Sequence, residues 1–175
     1  GESAASSTFD SFFKEKIMGY DEKRNDPNLN RLSNISPYLH YGNISSQRIV
    51  FELSKLDSNN DIDAFIEQIL VRKELADNFC YYNKNYDNFL CLADWAKTTL
   101  NDHRNDKRDF LYNLDAFENS DTHDELWNAA QNQMRLNGKM HGYMRMYWAK
   151  KILEWKESPE EAFQIAIELN DRYEL

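Results

Sequence analysis

The sequence contains little glycine, little proline and almost no cysteine. Among 175 residues there are 5 glycines, 3 prolines and 2 cysteines. Because β-sandwiches and barrels need many tight turns, this scarcity disfavours them and predicts an all-α fold. Cys80 and Cys91 form neither a C-x-x-C pair nor a spacing with histidine that is typical of a metal site. We therefore expect two buried, reduced thiols, no metal, and an intracellular protein of either the cytoplasm or the nucleus.

Long apolar runs are also absent. No run approaches the roughly 18 residues that a membrane-spanning helix needs. Residues 1–8 (GESAASST) lack the apolar segment of a secretory signal peptide, and we expect them to form a flexible tail. The remaining length, residues 9–175, suits one domain with a single core.

The net charge is strongly negative, −9 with an isoelectric point near 4.9. On average this argues against nucleic-acid binding, because DNA phosphates attract basic proteins. One segment departs from the average: residues 131–153 contain five lysines or arginines and no acidic residue. Such a run is usually a solvated helix face, but Lys139, Lys150 and Lys151 could also bind phosphates. Arg145 lies among three methionines and, if partly buried, needs an acidic partner.

Apolar periodicity and capping residues predict a series of helices. Asn43 and Asp61 are expected caps, and T-x-x-E at Thr122 and S-P-E-E at Ser158 are typical of capping boxes. Gly138 is typical of the residue that follows a helix end. The predicted helical ranges are 9–18, 44–56, 62–82, 87–103, 110–117, 122–138, 139–156 and 159–169, with a further helix start at Ser36.

Three of the four tryptophans, Trp127, Trp148 and Trp155, lie in the last third of the chain. Trp148 and Trp155 are seven residues apart, so they share a helix face at an axial separation of about 10.5 Å. Trp127 can reach the same seam if the two helices form a hairpin. Aromatic residues at helical spacing usually form a core, whereas three neighbouring indoles could also relay electrons. The pattern alone leaves both interpretations open.

Residues 32–37 (LSNISP) place hydroxyl and amide side chains directly before a helix start. Free N–H groups there could bind an anion such as a diphosphate, although ordinary capping explains the same residues. Tyr20 and Arg24 lie upstream and could form one wall of a site. Glu67 lies on an apolar helix face, where its carboxylate either reaches solvent or receives a hydrogen bond from a ligand. No P-loop, G-x-G-x-x-G, HExxH or Ser/His/Asp pattern is present, which leaves hydrolase and kinase functions little support.

Longer sequence motifs are more specific than the spacing of single residues. They are LSNISPYLHYG (32–42), RKELADNFCYY (72–82), LWNAAQ (126–131), GKMHGYMRMYWAKKILEW (138–155) and AIELNDRY (166–173). Together they closely resemble class II DNA photolyases over nearly all of residues 10–175. The resemblance implies the all-helical FAD-binding catalytic domain of a flavoprotein lyase, active in repair of DNA damage. In that family, light-excited reduced FAD donates an electron to a cyclobutane pyrimidine dimer flipped out of double-stranded DNA. It implies no membrane, no protein partner and a monomer.

The resemblance also implies roles for individual residues. FAD would contact Tyr20, Leu32, Ser33, Asn34, Ile35, Ser36, Arg145 and Asn170. The flavin would be photoreduced through Trp148, Trp127 and Trp155, in that order outward. The catalytic and lesion-contacting positions would be Asn170, Glu67 and Met146. Backbone phosphates of DNA would meet Arg24, Arg72, Lys139 and Lys150.

The chain departs from the family pattern at both ends. The family's N-terminal α/β domain, which carries the antenna chromophore, is absent, and so is a glycine-rich continuation that supplies the acidic partner of Arg145. Arg145 would then lack its counter-charge. We therefore expect a fragment of a photolyase that is itself without FAD and inactive. Alternatives are a non-repair, cryptochrome-like flavoprotein and a degenerate helical binding module; the tryptophans suit both flavoproteins, whereas Glu67 and Met146 favour repair.

Overall fold

Helices are the only regular secondary structure in the computed structural model, which describes residues 1–175. About 64% of the residues are helical and none lies in a strand, so the all-α prediction is confirmed. The chain divides into two compact units, residues 1–82 and 83–175, where the sequence predicts one domain. No glycine- or serine-rich linker marks this division, which is why composition gives no sign of it. No helix is long and apolar enough to cross a membrane.

The first unit is built on an aromatic core. Phe12 stacks obliquely on Phe65 with ring centroids 4.6 Å apart, and Tyr20 meets both rings edge-on at 5.5 Å. Ile35 and Ile49, which are almost fully buried, complete its centre. The elements of this unit are α1 (Glu2–Glu15), α2 (Tyr20–Lys23), α3 (Ser36–His40), α4 (Ser46–Leu53), α5 (Asn60–Ile66), a π-helical segment (Glu67–Arg72) and α6 (Lys73–Tyr82).

Residues 1–8 do not form the expected flexible tail, because α1 begins at Glu2. Ala5, Phe9 and Phe12 recur at the i, i+4, i+7 spacing that puts them on one face, and all three are buried. The small side chains of this stretch hide the pattern when the sequence is examined alone. Alanine nevertheless favours helix more than any other residue, and burial of Ala5 fixes the first turn.

The predicted helix 62–82 forms with two differences. Its cap is Asn59, whose side chain accepts hydrogen bonds from the main-chain N–H groups of Asp61 (3.0 Å) and Ile62 (3.1 Å). Asp61, the predicted cap, instead accepts from the N–H groups of Gly19 (2.8 Å) and Asp21 (2.9 Å) and ties α2 to α5. These bonds hold the pKa of the Asp61 carboxyl below its ordinary value. The second difference is the π-helical segment, which no residue pattern in the sequence marks.

The last helix of the first unit, α6, buries none of its residues. Leu75, Phe79, Tyr81 and Tyr82 are all exposed. Cys80 lies on the same helix and is exposed, so the expectation of two buried thiols is wrong for this residue; Cys91 is half-buried, and both are free cysteines. An exposed helix of this composition shows that apolar periodicity predicts a helix without predicting what covers it.

The second unit is centred on a helical hairpin. α9 (Glu125–Asn137) and α10 (Gly142–Glu154) pack against each other, and α11 (Pro159–Tyr173) packs against α10. Gly138 ends α9 with a left-handed backbone, φ 65°, as predicted. Its other elements are a 3₁₀ turn (Phe89–Cys91), α7 (Asp94–Asp102) and α8 (Leu114–Glu118).

Local capping decides where these helices begin. Ser158 caps α11 as predicted, because its Oγ accepts from the N–H of Glu161 at 3.3 Å. The capping box expected at Thr122 is wrong by two residues: Asp124 caps α9 by accepting from Trp127 N–H at 2.9 Å. The cap of α4 is Ser45, not Asn43, and its Oγ accepts from Arg48 N–H at 3.1 Å. Each correction replaces one capping residue by a neighbour that can do the same chemistry.

Candidate functional site

The hairpin places the three predicted relay tryptophans in one buried line. The rings of Trp127 and Trp148 are parallel within 7°, with centroids 6.3 Å apart. Trp155 meets Trp127 at 5.8 Å and an angle of 65°. All three side chains are at most 2% exposed. The line therefore runs Trp148, Trp127, Trp155, which is the order that the resemblance implies, while their role as an electron relay remains a prediction.

Hydrogen bonds fix the indoles to different degrees. Trp148 donates from Nε1 to Oε1 of Gln131 at 2.8 Å, and Trp127 donates from Nε1 to the main-chain oxygen of Trp148 at 3.0 Å. The Nε1 of Trp155 is buried and has no acceptor. Thus the first two indoles are oriented by polar contacts as well as by packing. Gln131 closes the LWNAAQ motif, but nothing in that motif indicates that its side chain would accept from Trp148.

The aromatic cluster continues beyond Trp155. Tyr112 meets its ring edge-on at 5.5 Å, and His123 lies 5.1 Å away. The hydroxyl of Tyr112 and Nδ1 of His123 are 2.8 Å apart, and the same hydroxyl accepts from His123 N–H at 3.0 Å. The sequence could not reveal this extension, because Tyr112 and His123 precede α9 and lie far from Trp155 along the chain.

A second polar connection stiffens the hairpin. Tyr147 on α10 donates its hydroxyl proton to Asp124, the residue that caps α9. Burial and this bond to the carboxylate raise the pKa of Tyr147 to about 12. Both helices that carry the tryptophans are consequently joined at one end by a hydrogen bond to a charged group.

The expectation that Arg145 lacks a counter-charge is wrong for this structure. Its guanidinium forms an ion pair with Glu174, whose side chain is only 8% exposed. Glu174 also accepts from the N–H of Met140 at 2.8 Å. Lys139 lies in the same surroundings, where burial lowers its pKa, Glu174 opposes that effect and Arg145 adds to it. Glu174 was missed because it is 29 residues from Arg145 in the sequence.

The remaining predicted residues of the second unit lie nearer the surface. Met146 is 56% exposed because it lies two residues from the buried Met144 and Trp148, on the opposite side of α10. Lys150 is exposed, and Lys139 is half-buried. Asn170 is half-buried on α11, and its amide donates to Asp171 at 3.2 Å. Met146 and Lys150 are therefore open to a large ligand, whereas Lys139 is less so.

In the first unit, the predicted cofactor segment lies against the aromatic core. Ile35 is 2% exposed and anchors it, while Asn34 and Ser36 are exposed and Leu32 and Ser33 are half-buried. Asn34 has a left-handed backbone with φ 55°, which a non-glycine residue seldom adopts. Strained backbone of this kind occurs at binding sites more often than elsewhere, but it does not by itself define one.

Tyr20 and Arg24 pair as the sequence suggests. The guanidinium of Arg24 lies 5.9 Å from the ring centroid of Tyr20. Burial raises the pKa of the Tyr20 hydroxyl, and Arg24 partly offsets that effect. Tyr20 is only 5% exposed, so its ring belongs to the core. The buried Nε of Arg24 has no hydrogen-bond partner and remains available as a donor.

The π-helical segment gives Glu67 an unexpected partner. Arg72 Nε lies 3.0 Å from Oε1 of Glu67, and both side chains are well exposed. In an α-helix, residues five apart point about 140° away from each other. The wider π turn brings them to one side, and such turns frequently mark functional positions. The structure therefore joins a predicted lesion-contacting residue to a predicted phosphate-contacting residue.

No three His, Cys, Asp or Glu side chains of the chain are grouped so that they could hold a metal.

Comparison with known proteins gives a consistent family. The chain is 53% identical over 167 residues to a deoxyribodipyrimidine photo-lyase of Potorous tridactylus and 53% identical over 169 residues to one of Oryza sativa, alignments that cover 94% and 95% of this chain. It is 48% identical over all 175 residues to one of Methanothermobacter thermautotrophicus. The chain spans about a third of the length of these curated relatives, 31%, 33% and 39%. No protein-family model matches it.

Proposed function

Because this chain belongs, over the residues it spans, to the family of deoxyribodipyrimidine photo-lyases, we propose that it forms part of a light-driven DNA-repair lyase. The observation that carries the proposal is the buried line of Trp148, Trp127 and Trp155, with neighbouring ring centroids 6.3 and 5.8 Å apart. Burial of three indoles is common in a core, but their order and contact suit transfer of electrons inward to an acceptor beside Trp148.

FAD is the cofactor that the residues suit. In the first unit, the Arg24 Nε donor and the exposed backbone around Asn34 fit an anionic diphosphate. In the second unit, the buried Arg145 Nε has no hydrogen-bond partner, and its guanidinium fits the edge of a flavin that carries negative charge. Tyr20, Leu32, Ser33, Ile35, Ser36 and Asn170 would complete the binding residues. When bound in its reduced form, FAD supplies the light-driven electron that splits a cyclobutane pyrimidine dimer.

The protein's own part is to bind, orient and shield. Asn170 would direct its amide at the flavin, and Trp148 would exclude water from one side. Glu67 would hold the flipped dimer by a hydrogen bond, and the exposed Met146 would offer it an apolar contact. Arg72 and Lys150, both exposed, would contact DNA phosphates, with Arg24 and Lys139 nearer the protein interior. Double-stranded DNA that contains pyrimidine dimers is therefore the proposed partner.

A photoreceptor of the cryptochrome kind is the second candidate, because it would use the same tryptophan line. The exposure of Met146 and the ion-paired carboxylate of Glu67 favour repair, since only repair needs a surface for the lesion.

The experiment that separates them uses the product of the complete reading frame that contains these residues. The FAD-loaded protein is mixed with UV-irradiated DNA, and dimers are counted after illumination and after the same time in darkness. We expect loss of dimers only in light. Normal photoreduction of the flavin without loss of dimers would contradict repair and would support the photoreceptor function.

A further inference from the structure

Gln131 is a buried polar residue that neither helix capping nor an ion pair explains. It lies on α9, is 0% exposed, and accepts the indole proton of Trp148 through Oε1 at 2.8 Å. Its Nε2 is buried and has no hydrogen-bond partner. A buried donor without an acceptor destabilises a fold, and methionine or leucine at this position would only move that cost to the Trp148 indole N–H. The specific contribution of the glutamine is therefore the acceptor oxygen that it presents to Trp148.

The contact partners of the three indoles differ in kind. Trp127 donates to a main-chain oxygen, which any residue at position 148 would supply. Trp155 has no acceptor for its Nε1. Trp148 alone donates to a side chain, so the sequence controls the hydrogen bond of this indole independently of the backbone. Trp148 is also the innermost member of the proposed relay.

We propose that Gln131 is a positioning residue for Trp148 in the electron relay. Its acceptor oxygen holds the indole parallel to Trp127 and stabilises the positive charge that Trp148 carries after losing an electron. With FAD bound, that electron would go to the light-excited, oxidised flavin. Trp127 would then refill Trp148, Trp155 would refill Trp127, and a thiol reductant in solution would return the electron to Trp155. The indole proton stays on Nε1, because a neutral amide oxygen is too weak a base to remove it. This inference rests on the proposed function, since it assigns Gln131 to the same relay.

The first test needs no cofactor. The ¹H–¹⁵N signals of the tryptophan indoles are recorded for the 175-residue chain, for Gln131→Met and for the control Gln133→Met. Gln133 lies on the same helix but is exposed, and it accepts from the N–H of His141 rather than from an indole. We expect Gln131→Met to move the Trp148 signal strongly upfield while the Gln133→Met spectrum keeps it in place. An unmoved Trp148 signal in folded Gln131→Met would overturn the assignment of this bond.

The second test measures the relay itself in the FAD-loaded product of the complete reading frame. The initial rate of flavin photoreduction is followed in wild type, Gln131→Met, Gln133→Met and Gln131→Glu. A net hydrogen-bond contribution of the usual size predicts a rate about two- to tenfold lower in Gln131→Met. Gln131→Glu keeps an acceptor oxygen at the same place and should restore at least part of that loss. A residue needed only for packing would instead show no loss in Gln131→Met, because methionine has a similar size and shape.

Three outcomes contradict the inference. Equal photoreduction rates in Gln131→Met and wild type would remove the role in the relay even if the indole signal moves. A folded Gln131→Glu that is as slow as Gln131→Met would show that the acceptor oxygen is not what matters. If wild type binds flavin but cannot photoreduce it, the proposed relay is wrong and the role of Gln131 in it is overturned as well, whatever the indole spectra show of the Gln131–Trp148 bond.

Discussion

The two units bury aromatic clusters that are held in different ways. In the first unit Phe12, Tyr20 and Phe65 contact one another edge-on or obliquely, and the only polar atom among the rings is the Tyr20 hydroxyl. In the second unit Trp127 and Trp148 lie parallel, and hydrogen bonds orient both indoles. Apolar packing fills space but sets the orientation of a ring only loosely. A hydrogen bond to an indole N–H sets the orientation of the ring and also polarises it. The oriented cluster of the second unit is the one that we propose as the electron relay.

Removal of the central ring of each cluster should have the largest effect. Trp127→Ala and Phe65→Ala each delete a ring that is at most 1% exposed and should each lower the free energy of unfolding by about 3–5 kcal/mol. Urea denaturation measures both values. Only Trp127→Ala should also change the near-UV circular dichroism of the tryptophans strongly, because it removes the ring that contacts both Trp148 and Trp155. A strong change of this tryptophan signal in Phe65→Ala, or its persistence in Trp127→Ala, would contradict the distinction between the clusters.

A smaller effect should separate the two buried tyrosines. Tyr147→Phe removes a hydrogen bond to the charged Asp124 and should destabilise the protein by about 1.5–3 kcal/mol at neutral pH. Tyr20→Phe should lower the free energy of unfolding by less, because burial and Arg24 shift the pKa of the Tyr20 hydroxyl in opposite directions. Urea midpoints at neutral pH give the comparison.

The pH dependence provides a second check on Tyr147. Its pKa of about 12 lies above the ordinary value of 10.0, so its stabilising contribution is complete below pH 10 and is lost as the pH rises from 10 towards 12. Tyr147→Phe should therefore lose less stability than wild type over that interval. If the free energies of unfolding of wild type and Tyr147→Phe fall in parallel over this interval, the hydrogen bond from Tyr147 to Asp124 does not stabilise the protein.

The smallest effect concerns ion pairs at the surface. Arg104 holds the pKa of Glu160 at about 2, below its ordinary value of 4.5, so the pair stabilises above pH 4.5 and is lost as the pH falls towards 2. Glu160 is 43% exposed, and solvent screening limits the contribution to about 0.2–1 kcal/mol. Glu160→Gln should therefore lose slightly less free energy of unfolding than wild type as the pH falls from 4.5 towards 2.

Glu52 of the first unit is the matched control for this pair. Its carboxylate pairs with Arg48 on α4 and with Lys55 just beyond the end of that helix, and we expect Glu52→Gln to change the loss of stability in acid even less. Acid titration followed by circular dichroism compares the two variants. A larger effect of Glu52→Gln than of Glu160→Gln would contradict this ranking of the two ion pairs.

Local signals explain what could be predicted from the sequence. Gly138 and Ser158 act on their own helices, so their capping roles could be inferred from a few neighbouring residues. The predicted start of α9 at Thr122 is wrong because Thr122 and Asp124 are both good capping residues. Which of them caps the helix depends on contacts that the sequence pattern does not contain. The π-helical segment and the Glu174–Arg145 pair depend on chain geometry and on a residue far away in sequence.

The candidate site shows the same limit. Spacing alone put Trp148 and Trp155 on one helix face, but it could not separate a relay from a core; the long motifs suggested the relay, and the structure supplied the ring contacts. Gln131 ends the LWNAAQ motif, but no pattern indicated its contact with Trp148, because that contact is one bond across the hairpin. Ile35 and Tyr20 were predicted as cofactor contacts, yet their side chains belong to the core of the first unit.

Photoreduction in single-tryptophan variants tests the central claim most directly. Trp148→Phe removes the innermost indole, whereas Trp95→Phe removes the fourth tryptophan of the chain, which is 76% exposed and outside the cluster. In the FAD-loaded product of the complete reading frame, light-driven reduction of oxidised flavin is followed by absorbance. We predict that Trp148→Phe abolishes it while Trp95→Phe matches wild type. Equal photoreduction in both variants would contradict the assignment of Trp148, Trp127 and Trp155 as the electron relay.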